Sequence, residues 1–517
     1  MRLPALLAEE ARRFSAVAGP AAAGPAAAGE AEPRVLNLQD VTIRGLALDS
    51  RRVEPGQLFA ALSGTRADGH VFIPEAIEKG AVAVLGSPNA EAYAQRVPVI
   101  VDPDPRRRLA QLAACFFGRQ PAFTAAVTGT NGKTSIASFT RQIWDRLGIR
   151  AASLGTLGVE IGGGVERAGH WPKSTLTTPD PITLHRLVAE FAAAGVDHLV
   201  VEASSHGLDQ ERLSGLTIDA AAFANISRDH FDYHGSFEAY LAAKTRLFSE
   251  RLAPGGTAVL NADAPEFEAL AAIARSRGAE VVDFGTAGRA LRLVSRRPEL
   301  TGQILEIEAM GKHHAFRCGL VGAFQAHNVL ASLGLASAGD IPLELALEAL
   351  AELEGAPGRM QLVARHPKGA SAFVDYAHTP DALAKALEAL RPHTAGRLAV
   401  VFGCGGNRDR GKRPLMGKLA AALADLVYVT DDNPRNEDAA AIRRAILEPL
   451  AGDGAAVVEI GDRATAIRTA FAALEPGDVL VVAGKGHEQG QIVGDAILPF
   501  DDATELAAAL ASLESAA

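Results

Sequence analysis

The chain has 517 residues, 48% hydrophobic and 22% charged, a globular composition too long for one core, so about three domains are expected. A formal net charge of −10 argues against a general nucleic-acid or membrane-surface binder and leaves any anionic ligand to local positive features. Cys115, Cys318 and Cys404 show no metal-ligand spacing, and no basic-then-apolar leader or membrane-length apolar run is evident. A reducing cytoplasm without disulfides is the expected setting.

In chain order, residues 14 to 33 carry Ala-Gly-Pro repeats that bury little and read as a loose insertion. Leu46–Arg52 and Pro55–Leu62 read as strand, turn, strand, and Thr65–His70 as a polar loop. A short helix from about Pro74 to Lys79 leads to a strand at Ala81–Leu85, and the first unit ends near Gln120. Phe123–Val127 reads as a buried parallel strand that breaks at Gly129. A helical pattern starts at Lys133, with Ile136, Phe139, Ile143, Trp144 and Leu147 on one face and Gly148 as stop. Strand, glycine loop and helix aim backbone N–H groups at a phosphate. In Thr128-Gly129-Thr130-Asn131-Gly132-Lys133-Thr134, Lys133 would reach terminal phosphates and Thr134 would ligate Mg²⁺. The usual fingerprint has another glycine where Val127 stands; the alternative is an ordinary strand–helix turn.

Helices and short apolar runs then alternate, as in a mostly parallel sheet. Asp180 is suited to cap a helix that Pro181 opens. His198–Glu202 is a strand with an acid at its carboxyl end, either a ligand for nucleotide-bound Mg²⁺ or a solvent-facing carboxylate. Phe223–Ile226 is expected as a strand. The loop Ser227–Gly235, with two histidines and two acids, could hold a metal or be a solvated loop. In the helix Tyr240–Phe248, Lys244 taken alone reads as a surface lysine. Residues 265 to 320 look like peripheral strands and a helix, and a helix opens around Gly322–Asn328. In the last unit three apolar strands, Leu398–Phe402, Leu426–Val429 and Val479–Val482, each end in a polar loop. Ligands of open α/β sheets bind beyond the carboxyl ends of the strands. These loops would converge there, bringing Arg408, Arg435 and Glu488, which suits a ligand with carboxylates and an amine; the alternative is structural ion pairing.

The ordered set resembles the Mur ligase family across nearly the whole chain. The resemblance rests on Leu48-Asp49-Ser50-Arg51, Thr128 to Thr134, Thr177-Thr178-Pro179, Ser204-Ser205-His206-Gly207, Asp229-His230, Tyr240 to Lys244, Tyr376 to Asp381, Asp432 to Arg435 and Lys485 to Glu488. It implies an α/β chain of three domains. Residues 1–120 would bind the UDP-sugar, 121–356 would form a central P-loop mononucleotide-binding domain with a mostly parallel sheet, and 357–517 a Rossmann-like domain for the amino acid. The implied reaction is ATP-dependent amide formation in peptidoglycan precursor synthesis. The D-glutamyl γ-carboxylate of UDP-N-acetylmuramoyl-L-alanyl-D-glutamate becomes an acyl phosphate, and the incoming amine displaces phosphate.

The resemblance also assigns roles by position. Thr134, Glu202 and His230 would serve Mg²⁺, joined by Lys244 as a carbamate, which reverses the surface reading of that lysine. Lys133, His230, Lys244 and His378 would lie nearest the chemistry. Thr128, Gly129, Thr130, Asn131, Gly132, Lys133, Thr134, Asn328, Arg359 and Asp375 would bind ATP. Leu48, Ser50, Thr65, Arg66, Ala67, Thr177, Thr178, Ser204, Gln210 and Arg212 would hold the UDP-dipeptide. Arg408, Asp432, Asn433, Pro434, Arg435, Gly484 and Glu488 would form the amino-acid pocket. The Asp-Asn-Pro-Arg motif favours meso-2,6-diaminopimelate over L-lysine, since Arg435 needs a distal carboxylate to pair with. A monomer with no nucleic-acid or membrane partner is expected. Gln361 stands where the family often has an acid, and the Ala-Gly-Pro segment looks particular to this lineage. Rival readings are a sister ligase or folylpolyglutamate synthetase, against which the Asp432–Arg435 and Leu48–Arg51 segments speak. A nucleotide switch is the other rival; no Asn-Lys-x-Asp guanine-reading motif is present.

Overall fold

The computed structural model describes residues 1–14, 32–64, 67–162, 176–339, 341–450 and 455–516. Thr65, Arg66, Ser174, Thr175 and most of the Ala-Gly-Pro segment lie outside them. The rest falls into two compact units: residues 1–133, 148–258 and 268–281, and residues 134–147, 259–267 and 282–517.

The first unit begins with a five-stranded sheet in the order Arg34–Leu36, Val99–Val101, Ala83–Gly86, Gln57–Ala61 and Gly45–Ala47. Only the pair at the Arg34–Leu36 edge is antiparallel. Gly45–Ala47 and Gln57–Ala61 lie parallel because a 3₁₀ turn, Ser50–Arg52, carries the chain across; Asp49 caps it by accepting from the Arg51 N–H. The short helix expected from Pro74 runs Ile73–Glu78.

The same unit holds the parallel strands Ile218–Phe223, Phe123–Thr128, His198–Glu202 and Ala151–Gly155, which pair side by side in that order. Their apolar runs are buried on both faces, as such strands require. Val127 sits inside its strand, opposite Ala222 on one side and Glu202 on the other. The loop therefore begins only at Gly129, and no glycine is needed at 127. The strand expected to reach Ile226 stops at Phe223. Beyond it the Asn225 carbonyl accepts from Thr130 N and its side-chain oxygen from Asn131 N, so the chain serves the loop instead of the sheet.

In the second unit the helix Lys133–Arg146 buries Ile136, Phe139, Ile143 and Trp144, and hydrogen bonds join it to the helix Ala323–Ala336. Trp144 Nε1 donates to the Ala336 carbonyl at 3.2 Å, and Ser332 Oγ to the Ile136 carbonyl. Leu291–Glu299, Gly302–Ala309 and Lys312–Cys318 form an antiparallel meander.

The unit also holds a six-stranded sheet in the order Gln361–Arg365, Ser371–Asp375, Val479–Ala483, Leu398–Phe402, Leu426–Val429 and Ala456–Glu459, all parallel after the first pair. Alternate residues enter two cores. Val400, Phe402, Val427 and Val481 meet Leu387, Met416 and Ile442 on one face, while Val401, Leu480 and Val482 meet Ile467, Phe471 and Leu506 on the other. That is why these runs are continuously apolar. The order sets the three strands with polar loops side by side, so the loops emerge together.

Candidate active site

The glycine loop lies between strand Phe123–Thr128 and helix Lys133–Arg146, with Gly132 in the left-handed region at φ +89°. Thr128 is buried at the strand end, and Thr134 is buried in the first helical turn. Thr130 Oγ1 meets Tyr240 Oη at 3.1 Å and accepts from Ser227 N at 2.9 Å. Lys133 Nζ donates to the Gly129 and Thr130 carbonyls at 2.8 and 3.0 Å. Lys244 Nζ donates to the same Gly129 carbonyl at 2.8 Å and lies 4.5 Å from the Tyr240 ring centre.

Taken by itself the sequence placed Lys244 on the surface; it is 1% exposed. Burial first, and then the neighbouring Lys133 ammonium, pull its pKa well below the ordinary 10.5. Two lysines therefore converge on one carbonyl, and one of them is driven towards the neutral amine.

His230, at the tip of the loop after Asn225, has a left-handed backbone (φ +54°) and stands 4.8 Å, ring to ring, from His206. Burial, then His230 and His234, lower the His206 pKa. The loop does not close into a metal cage of its own: among the described residues no three His, Cys, Asp or Glu side chains converge for an ion. The His230 and Asp229 side chains are 46% and 44% exposed, in keeping with the solvated-loop alternative for Ser227–Gly235.

Glu202 is buried, 2% exposed, and accepts from Thr156 N and Oγ1 at 2.8 and 3.1 Å, so it is not a solvent-facing carboxylate. A Cβ on Gly155 would fall 2.1 Å from Glu202 Oε1. Thr177 Oγ1 meets Thr156 Oγ1 at 3.1 Å. Thr178 Oγ1 donates to the Glu202 carbonyl, meets Ser204 Oγ at 3.0 Å and accepts from Ser204 N. Arg212 Nη1 and Nη2 donate to the Thr178 carbonyl and to Gln210 Oε1 at 2.5 and 2.7 Å. Burial lowers the Arg212 pKa, with Asp180 opposing. Five positions expected at the UDP-dipeptide thus form one network around Glu202.

Beside it opens a cleft of about 290 Å³ lined by Leu48, Leu62, Arg106, Asp180, Gln210 and Arg212, among others. Asp180 caps its helix as expected, accepting from Ile182 and Thr183 N. Ser50 is not presented to this cleft: its hydroxyl donates to Glu75 Oε2 at 2.8 Å. Ala67 is exposed. Sequence reasoning missed Arg106, whose Nη2 donates to the Ser63 carbonyl at 2.5 Å; in the run Arg106–Arg108 nothing marks which arginine lines the cleft. It also missed Thr156 and Asn225, whose roles depend on tertiary neighbours.

In the second unit, Arg359 lies over the Tyr376 ring at 4.6 Å and His378 packs edge-on against the same ring. Asp375 accepts from Met360 and Ala377 N; burial raises its pKa against the pull of Arg359. Asn328 is buried on the helix Ala323–Ala336 and donates to Gln325 Oε1 at 2.8 Å.

The three polar loops of the six-stranded sheet do converge. Asp432, Asn433 and Pro434 are buried. Asn433 Nδ2 donates to Glu488 Oε2 at 3.0 Å. Arg435, left-handed at φ +52°, donates from Nη1 to the Gly406 carbonyl at 2.9 Å. A Cβ on Gly405 would meet Arg435 Nη1 at 2.8 Å and Arg408 Cγ at 3.7 Å, so the two arginines flank Gly405. A Cβ on Gly484 would stand 3.7 Å from Asp432 Oδ2.

A glycine loop poised for phosphate and a pocket with guanidiniums and carboxylates fit an enzyme that activates an acid for attack by an amine. Residues 42–117 match the profile described as Mur ligase family, catalytic domain; 127–336 match the Mur ligase middle domain; 358–486 match the Mur ligase, glutamate ligase domain. The UDP-N-acetylmuramoyl-L-alanyl-D-glutamate–2,6-diaminopimelate ligase of Caulobacter vibrioides is 53% identical over 92% of this chain and 97% of its own. The protein of the same name from Agrobacterium fabrum is 50% identical over 92% and 94%. A solved structure of a protein so named aligns with a TM-score of 0.69 at 34% identity, covering 91% of this chain and 95% of that one. The chain belongs to the Mur ligase family. Among its described residues no helix is long and apolar enough to cross a membrane.

Proposed function

We propose that this Mur ligase adds meso-2,6-diaminopimelate to the D-glutamyl γ-carboxylate of UDP-N-acetylmuramoyl-L-alanyl-D-glutamate, using ATP. Residues 1–120 hold the UDP-sugar, 121–356 the nucleotide and 357–517 the amino acid. Separate groups of strands, at 34–101, 123–223 and 361–483, support the three assignments. The cytoplasm is the proposed compartment, consistent with three free, buried cysteines. A monomer is the proposed oligomeric state.

The γ-carboxylate oxygen attacks the γ-phosphorus of ATP, and ADP leaves. The amine then attacks the acyl carbon, and phosphate leaves as the amine proton passes to solvent. The first step brings two anions together, which at about 4 Å repel by roughly 4 kcal/mol at intermediate dielectric. The chain answers with the loop N–H groups and with Lys133, whose ammonium exchanges the Gly129 carbonyl for phosphate oxygens. Arg212 and Gln210 orient the dipeptide beside Thr178 and Ser204. Asn328, Arg359, Asp375 and His378 serve the nucleotide.

Thr134, Glu202, His230 and a carbamylated Lys244 fit Mg²⁺: the donors are mostly hard oxygens, and Gly155 leaves the space that the Glu202 carboxylate fills. When bound, Mg²⁺ neutralises the crowded anions. Lys244 suits carbamylation because its amine is buried and its pKa depressed. As the N–C bond to CO₂ forms, the neutral amine releases one proton and becomes an anionic oxygen donor.

The observation that carries the amino-acid assignment is Arg435 held beside the Asn433–Glu488 pair. A cation faces the distal carboxylate, and the Asp432 and Glu488 carboxylates face the distal amine. Lysine would leave the guanidinium without its anion, at a cost of several kcal/mol. The test is phosphate release from ATP with the UDP-dipeptide and either diaminopimelate or L-lysine. Turnover is expected with diaminopimelate; comparable kcat/KM on lysine overturns the assignment.

A further inference from the structure

We propose that Lys485 is a positioning residue for the amino-acid substrate, acting through the side-chain amide of Asn433; the inference rests on reading the pocket at Asp432–Arg435 as the amino-acid site. Lys485 is fully buried just beyond the strand Val479–Ala483. A buried ammonium needs acceptors for three N–H bonds. It finds Asn433 Oδ1 at 2.8 Å and the Gly490 carbonyl at 2.9 Å, with the Asp432 Oδ1 and Glu488 Oε2 carboxylate oxygens at 3.4 and 3.8 Å as ion-pair partners. The Ile492 N–H donates to the same Asn433 Oδ1 at 2.9 Å.

Two donors on one oxygen fix which way the amide faces. A flipped amide would turn its NH₂ against an ammonium and an N–H, leaving buried donors unpaired. Nδ2 is therefore directed at Glu488 Oε2. The acceptor atoms of Glu488 and the donor of Asn433 keep one arrangement towards a ligand, and Lys485, which need touch no ligand, decides which.

The surrounding bonds tie this lysine to the whole motif. Gly490, its second acceptor, opens the hairpin Gly490–Val493 and Ala496–Pro499. From that hairpin Gln491 Nε2 donates to the Asp432 carbonyl at 2.8 Å, and Arg435 N donates to the Ile492 carbonyl at 3.0 Å. Gly494 N donates to the Arg435 carbonyl at 2.8 Å, so Arg435 is held in its left-handed backbone from both sides. Arg463, paired with Asp502 where both side chains are fully buried, donates to the Ala483 carbonyl at 3.0 Å and anchors the strand end that carries Lys485.

The experiment is a double-mutant cycle in the full-length protein: Lys485→Met, Asn433→Ala and both together, each assayed for KM of meso-diaminopimelate, of ATP and of the UDP-dipeptide. Lys485→Met is expected to raise KM for diaminopimelate about 10- to 100-fold, the scale of one lost charged hydrogen bond, with kcat and the other two KM values little changed. In the Asn433→Ala background it should add nothing. An unchanged KM overturns the inference, and so does the same fold-rise with or without Asn433. Should Lys485→Met fail to fold, Lys485→Gln, which removes the charge and one of the three N–H donors, takes its place in the cycle under the same criteria. Wild-type turnover is read first: its absence with diaminopimelate overturns the substrate assignment as well, whereas normal wild-type turnover beside an unaltered variant overturns this inference alone.

Discussion

Lys244 shows how far one residue's role can depart from its type. Its ammonium sits in a packed interior with a carbonyl, a tyrosine face and another lysine for neighbours. Between the depressed folded pKa and 10.5, the unfolded chain binds a proton that the native chain lacks, so wild-type stability rises with pH across that window. In CO₂-free buffer, Lys244→Met should therefore melt above the wild type at pH 7, with the gap closing as pH approaches 10.5; a constant gap in a melting series contradicts this. The same variant should lose kcat by about 10²- to 10³-fold, the usual scale for a lost electrostatic group at the reacting centre. Arg435 belongs to a different step. Arg435→Ala should raise KM for diaminopimelate and erase discrimination against lysine; an unchanged KM in steady-state assays removes that role.

At the level of elements, close backbone approaches govern what the strand ends can present. Gly155 closes the strand Ala151–Gly155 where the Glu202 carboxylate passes. Gly155→Ala should cost about 1–3 kcal/mol in denaturant unfolding, as overpacking does, and should lower kcat by displacing Glu202. Another element is pinned by one acid. Asp263 accepts from Thr286 N and Oγ1 and from Ala287 N, each at 2.8 Å, and meets His327 Nε2 at 2.7 Å. Burial pushes its pKa up, but the bonds from His327, Thr286 and Ala287 prevail and hold it at about 2. Its stabilising contribution is thus complete above about 3.8 and lost as pH falls through about 2. The stability difference between wild type and Asp263→Asn should shrink over that range; a difference that survives below pH 2 argues against the carboxylate.

For the whole molecule, the proposed chemistry couples three substrates, so phosphate release should need ATP, UDP-dipeptide and diaminopimelate together; steady release with any one withheld contradicts the coupling. Much of this was legible in the chain itself. The apolar runs ending at Val127, Phe402, Val429 and Val482 read as buried strands from their length and the polar or glycine loops that follow, and helix signals such as Asp180-Pro181 are local chemistry. The ordered motifs carried the family, since each keeps its residues at fixed spacing. What no local pattern could supply was environment. Burial of Lys244, the Glu202–Thr156 bonds, Arg106 at the cleft and Lys485 on Asn433 all arise from residues far apart in the chain. Side-chain type and spacing state what a group can do; desolvation and the partners that folding brings to it determine which of those things it does.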